Sequence, residues 1–371
     1  DLVHSMLLRS IYTTRPDGVE VPWGDSDATP LIFRSAFCHY KAFEEPEALQ
    51  IVAGAFGKEG LLCEFDHQVW SLRDAPTTAK WLSELKPTEP LIPTFLHDRE
   101  FKQVMARTGW NAAADSIFFS ARSPIHNDHA HIDPNAFEYF SHGFAVLPDA
   151  GRYTYREGGD RHYYKSTEAH NTLTVNGRDA FAYLGTWAYG GQQAGGILAA
   201  EQCGTFSYAC GFHENYAPAV HRRALILSKD CLFVFDAVDG LSSQDIVSDY
   251  FLFDTTSCSL LPGIFRAVSP GNRLVSTLSF CGNTFSAVLP GRLSETVDHE
   301  RPARRLCLTA DGKNAQRILS VICCRPLQQE IAARKLSVEE SADAFFLNAY
   351  VEEKMHSYHI DKSSWVITSQ N

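Results

Sequence analysis

The sequence predicts an α+β multidomain chain, with a helical N-terminal segment over residues 1–97 followed by a large antiparallel β-sandwich over residues 98–371. Three observations carry this reading. Apolar residues recur at helical spacing in the first quarter of the chain, and from about residue 98 the period falls to two. The later segments are also short and separated by turn residues at regular intervals. Strand following strand with no helix between them builds antiparallel sheets rather than parallel crossover units.

The helical spacing is seen in Leu2–Tyr12, Pro30–Phe43 and Ala48–Phe56, and again in Thr77–Leu85, which carries Trp81, Leu82 and Leu85 and stops before Pro87 and Pro90. Arg15-Pro16-Asp17-Gly18 is a turn, and Trp23-Gly24-Asp25-Ser26-Asp27 is a polar loop. Strands are then expected at Gln103–Thr108, Ser116–Ala121, Phe144–Leu147, Thr172–Val175, Thr205–Ala209, Arg223–Leu227 and Cys231–Phe235. Asn176-Gly177 marks a tight turn between strands. The pattern continues through Tyr250–Phe253, Leu274–Phe280, Thr284–Val288, Arg305–Leu308, Ile318–Cys323, Ala344–Tyr350 and Val366–Thr368.

Composition narrows the function. Hydrophobic residues make up 44% and charged residues 21% of the chain, ordinary for a globular protein. The net charge of −11 argues against a general nucleic-acid binder, and no apolar run is long enough for a membrane span. Ten cysteines with no C-x-x-C pair fit reduced, buried thiols, a pattern compatible with periplasm or cytoplasm. The first residue is Asp1, and Leu2, Met6, Leu7 and Ile11 already form a helical face, so a processed product or a fragment is expected.

The densest chemistry lies in Ser123-Pro124-Ile125-His126-Asn127-Asp128-His129-Ala130-His131-Ile132-Asp133. In an extended chain His129, His131 and Asp133 project to one side, where two imidazoles could share a metal, or one could bind metal while the other faces a substrate. Asp149 follows the strand Phe144–Leu147, and His170 precedes Thr172–Val175. A His/Asp/His set drawn from such segment ends suits zinc with a fourth position for water or ligand. Plainer readings stand beside it: a hydrogen-bonded histidine pair, a turn carboxylate at Asp149 and a satisfied core histidine at His170.

Between Asp149 and His170 lie Arg152, Tyr153, Tyr155, Arg156, Arg161, His162, Tyr163, Tyr164 and Lys165, a concentration of positive charge and phenols in an acidic protein. Sugars stack on aromatic faces, and arginine forks hold carboxylate or sulfate. The plain alternative is a solvated hairpin loop balanced by Glu157, Asp160 and Glu168. A second basic run, Arg301-Arg304-Arg305, is expected in an exposed loop.

Taken together, His129-Ala130-His131-Ile132-Asp133, Asp149-Ala150-Gly151 and Tyr163 through Ala169-His170-Asn171-Thr172 resemble the heparinase II/III-like polysaccharide lyases, which include heparin and heparan sulfate lyases and an oligoalginate lyase group. Arg15-Pro16-Asp17-Gly18 with Gly24-Asp25-Ser26-Asp27 resembles the turn late in that family's helical toroid, and His221-Arg222-Arg223 before Cys231–Gly240 fits its central sandwich. Pro134-Asn135 departs from the small residues many members carry there.

The resemblance implies an incomplete α/α toroid, of which residues 1–97 are the end, joined to the β-sandwich with the active cleft between them. It implies a zinc ion, mainly structural, on His131, Asp149 and His170, and a catalytic or carboxylate-neutralising His129. His126, Arg161, Tyr155 and Tyr164 become candidate substrate contacts. The implied reaction is β-elimination at a uronic acid of an acidic polysaccharide or oligosaccharide. The family's catalytic tyrosine lies upstream of the Asp-Gly turn, so a missing N-terminal helical part, as a companion chain, is expected to supply it. Two other functions fit the same residues: a non-catalytic carbohydrate-binding or structural protein of this architecture, and a metal-dependent hydrolase using an activated water.

Overall fold

The computed structural model describes residues 2–29, 47–56, 83, 92–123, 129–229, 231–255, 257–311 and 315–370. The expected helix Pro30–Phe43, nearly all of Thr77–Leu85, and His126 lie outside the described residues. Leu2–Tyr12 and Glu47–Phe56 are helices, as their spacing requires. Leu7, Ile11, Val52 and Ala53 face inward from them and pack on Met105 and Phe118.

Among the described residues, strands begin at Phe95. The first sheet runs in chain order through Phe95–Asp98, Gln103–Arg107, Ser116–Ser120, Ala136–Ser141 and Phe144–Leu147, each antiparallel to the next. The central sheet has eight strands, in the order Ser257–Leu261, Ile264–Val268, Leu274–Cys281, Ala315–Pro326, Cys231–Asp239, Ala219–Ser228, Phe206–Tyr216 and Gly195–Cys203. A four-stranded sheet orders Phe285–Thr296, His299–Asp311, Ile246–Phe253 and Leu173–Val175, and a second one carries Arg334–Glu340 to Ile367–Ser369.

The central sheet is covered on both faces. Leu225, Leu227, Leu232 and Val234 join the core that contains Phe119, Phe137 and Phe251. Their neighbours Ala224, Ile226, Phe233 and Phe235 point the other way, onto Leu347, Tyr358, Ile360 and Trp365 of the C-terminal sheet. Side chains alternate across a strand, so a strand with two buried faces reads as an unbroken apolar run. Cys231–Asp239 is buried throughout except at its last residue.

Two local expectations are corrected. Arg301, Arg304 and Arg305 lie in the strand His299–Asp311, not in a loop. Charge neutralisation permits this: Arg301 pairs with Asp254 and Glu295, while Arg305 donates to the carbonyls of Glu168 and Pro290. The segment after Asp149 holds a short helix, Gly159–Lys165, with Arg161, Tyr164 and Lys165 buried. Its inward face is polar and aromatic, which hides it from a search for apolar periodicity.

Candidate active site and metal centre

The site is assembled from four stretches of chain. The turn carrying Asp25 comes from the N-terminal segment and lies against the stretch His129–Asp133, whose backbone it grips: Asp25 N donates to His129 O at 2.9 Å. Gly24 makes this approach possible. It sits at φ +63, and a Cβ there would stand 2.6 Å from His129 O. The same N-terminal turn is anchored by Arg15, which forks onto Glu138 at 2.7 and 2.6 Å, and by Arg152, which forks onto Asp27 at 2.9 and 2.8 Å. Bidentate arginine–carboxylate pairs fix orientation as well as distance.

Asp25 is the centre of the cluster. It accepts from Arg161 Nη1 and Nη2 at 2.6 and 2.7 Å and from Lys165 Nζ at 3.4 Å, and it meets His131 Nε2 at 3.1 Å. His129 Nδ1 is 3.3 Å from its other side. Burial alone would raise this carboxyl, but hydrogen bonds from His131 and Arg161, with the Lys165 charge, hold it far below the usual carboxylate range. Burial and the Arg161 charge press Lys165 down to about 8.

Beneath this layer stand His131, Asp149 and His170, all buried, each offering a ligand atom within 4.8 Å of the other two. Asp149 fills two roles at once. Its Oδ1 accepts from Gly151 N at 2.9 Å, the turn-capping role expected from sequence, and its Oδ2 meets His170 Nδ1 at 2.8 Å. Gly151 sits at φ +79 where a Cβ would collide with Ser294 O, so only glycine closes this turn. Asp149 holds His170 charged against the cost of burial and lifts it to about 9, and the carboxyl is lowered in return.

The donor set fits a divalent ion. Each histidine directs one ring nitrogen outward to an acceptor, His131 Nε2 to Asp25 and His170 Nε2 to Tyr164 O at 3.1 Å. That outer contact is what orients a metal-bound imidazole. The other nitrogen of His131, Nδ1, is buried with no hydrogen-bond partner. Asp133 adds a buried Oδ2 without a partner, and burial lifts that carboxyl to about 6. His131, Asp149 and His170 are therefore a candidate three-ligand set: His131 Nδ1 lacks a partner, and an ion would take the place of the contact that now joins Asp149 Oδ2 to His170 Nδ1.

The expected common face of His129, His131 and Asp133 is not formed. His131 and Asp133 are buried, while the His129 side chain is 69% exposed. The stretch is irregular rather than a strand, so alternation does not apply. His129 lines a cleft of ≈ 300 Å³ with Arg9, Glu20, Trp23, Gln103 and Arg122.

The candidate substrate contacts divide. Tyr155 is exposed and near His129, with ring centroids 6.2 Å apart. Arg161 and Tyr164 are fully buried, which corrects their assignment as direct sugar contacts. The Arg161 guanidinium is consumed by Asp25, and the Tyr164 hydroxyl donates to Glu300 at 2.9 Å. Tyr12 is also buried, giving its hydroxyl proton to Pro93 O at 2.6 Å.

Two residues escaped the sequence reading. Asp25 was visible only as one acid of a polar loop. Trp187, in the turn between Ala182–Gly185 and Ala188–Gly190, stacks on Tyr155 at 5.2 Å. A tryptophan among small residues at a turn is the one signal that could have marked it.

Comparison with known proteins places this geometry. The family described as "Heparinase II/III-like, C-terminal" matches residues 103–333. Among solved structures, a heparinase III gene product superposes with a TM-score of 0.77 at 15% identity, over 96% of this chain and 52% of that one. The heparan sulfate lyase HepC from Pedobacter heparinus gives 0.75 at 16%, over 96% and 52%, and a further heparinase III gives 0.74 at 14%, over 96% and 54%. The chain thus spans about half the length of these proteins. No curated protein sequence matches it.

Proposed function

The chain belongs to the heparinase II/III-like family through that C-terminal domain, and from this premise we propose that it serves a polysaccharide lyase that cleaves uronate-containing glycans by β-elimination. The observation that carries the proposal is the placement of His129: an exposed imidazole on a cleft wall, backed by a buried carboxylate that also orients His131, one of the three candidate metal ligands.

In β-elimination the C5–H and C4–O bonds break and a C4=C5 double bond forms. The C5 proton is weakly acidic, so the neighbouring carboxylate must be neutralised as negative charge develops. His129 is assigned this task. With Nδ1 turned to Asp25, its Nε2 is left to hydrogen-bond the uronate carboxylate. A tyrosine phenolate takes the C5 proton, and the phenol so formed returns it to the departing glycosidic oxygen as the C4–O bond breaks. Tyr12 is committed to Pro93, so the phenol is assigned to a companion helical chain.

Zinc on His131, Asp149 and His170 would supply a cross-link between three segments. Asp25 and Lys165 carry that constraint to His129, since Lys165 also donates to Ala130 O at 2.7 Å. Complete burial of the three donors favours this structural role over hydrolysis by a metal-activated water, which needs an open position.

The test is the ultraviolet absorbance of a C4–C5 unsaturated uronate when the protein meets heparan sulfate or alginate. The absorbance is expected to grow with time in wild type and to be lost in His129→Ala. Cleavage with no unsaturated product would replace elimination by hydrolysis, and binding without cleavage would leave a carbohydrate-binding protein.

A further inference from the structure

Tyr155 and Trp187 form an exposed aromatic surface that the elimination step does not use. Their side chains belong to residues 38% and 42% exposed, and the rings are near-parallel, 28° apart. The His129 ring stands almost perpendicular to both, 4.9 Å from Trp187 and 6.2 Å from Tyr155. Cations lie close to the rings: Arg152 Cζ is 4.6 Å from the Tyr155 centroid, Arg161 Cζ is 5.1 and 5.7 Å from the two rings, and Lys165 Nζ is 5.8 Å from Trp187.

The surface is built rather than incidental. The turn carrying Trp187 is tied down by Glu157, which accepts from Thr186 N and from Tyr183 Oη. His162 stacks on Tyr183 at 4.9 Å, and Tyr189 Oη donates to Ala130 O beside His129. A scattered exposed aromatic needs no explanation, but a fixed pair with an imidazole at its edge and cations against its faces is a recognition corner. Pyranose C–H faces stack on such rings. Arg152 is balanced by Asp27, but Arg161 and Lys165 share the single carboxylate of Asp25, and the net positive charge left behind the rings favours a carboxylate or sulfate on the stacked sugar.

We propose that Trp187, with Tyr155, is a stacking subsite for an acidic pyranose, placing the sugar ring beside His129. The inference rests on the uronate-lyase reading and adds to it a positioning residue and a preference for acidic over neutral sugar at this subsite. The expected effect is on binding, not on the proton transfers.

The experiment is calorimetric titration of the full chain with a uronate-containing tetrasaccharide and with a neutral glucose tetrasaccharide, using wild type, Trp187→Ala and Trp187→Phe. Trp187→Ala is expected to weaken the acidic ligand about tenfold, and Trp187→Phe, which keeps an aromatic face, by no more than about threefold. The neutral ligand is expected to bind wild type at least about tenfold more weakly than the acidic one. Tryptophan emission guards against misfolding: the acidic ligand should change it in wild type, and the change should vanish in Trp187→Phe while binding persists. Equal affinity of wild type and Trp187→Ala for the acidic sugar overturns the subsite and leaves the lyase reading standing. Equal binding of the neutral sugar overturns the preference. No binding of the acidic sugar by wild type overturns both the subsite and the lyase reading.

Discussion

Asp25 shows how much one buried carboxylate can organise. It pairs with both Arg161 and Lys165, orients His131 and touches His129, all from a loop about a hundred residues upstream of them. Removing one partner from a buried ion cluster leaves the others charged and unpaired, which typically costs ~3–5 kcal/mol. Asp25→Ala is therefore expected to lower unfolding stability by about that amount in urea titrations. Adding Arg161→Met to Asp25→Ala should recover part of the loss, because one of the stranded cations is then gone. A loss below ~1 kcal/mol for Asp25→Ala would mean that water already reaches the cluster. His131, Asp149 and His170 were legible because their motifs resemble a known family. Asp25 was not, since an acid in a Gly-Asp-Ser-Asp loop looks like any turn acid until the fold brings it against two histidines and two cations.

At the scale of elements, the central strands were easy to read and the polar ones were not. Cys231–Asp239 announces itself through Leu232, Phe233, Val234 and Phe235, buried alternately on opposite faces. The strand Ala136–Ser141 was missed because Glu138, buried against Arg15, interrupts the apolar run that a strand covered on both faces otherwise shows. Gly195–Cys203 and Ser257–Leu261 were missed for the opposite reason, being edge strands with much of their length exposed.

Two adjacent central strands also carry a titratable pair, His213 and His221, in contact at 3.0 Å. Burial holds His213 far below its ordinary value, reinforced by His221 and Arg223, and His221 is lowered by burial despite its 2.6 Å contact with Asp236. A histidine kept neutral in the folded state contributes stability above the unfolded pKa near 6.5, and that stability is lost as pH falls below it. Relative to His213→Gln, wild type should lose stability as pH falls below about 6.5, with a slope that steepens toward about 1.4 kcal/mol per pH unit near pH 5. A constant difference in stability across that range would show that His213 protonates freely in the fold.

For the whole molecule, the decisive feature is convergence between distant stretches of chain. Residues near 25, 130, 150 and 170 meet where the N-terminal turn crosses the first sheet, and the buried Arg223 supports two of them from the central sheet by donating to Asn135 O at 3.2 Å and Asn171 O at 2.7 Å. The exposed groups proposed to touch a glycan, His129, Tyr155 and Trp187, stand on this foundation. Sequence spacing cannot reveal such a meeting point, because the contacts span more than a hundred residues. The most direct test of the account is elemental analysis of purified wild type and His131→Ala, read beside their melting temperatures. The account predicts one zinc per wild-type chain, and in the variant both a loss of zinc and a lower melting temperature. Full zinc occupancy in His131→Ala, or a wild-type chain purified with zinc available that binds none, would contradict it.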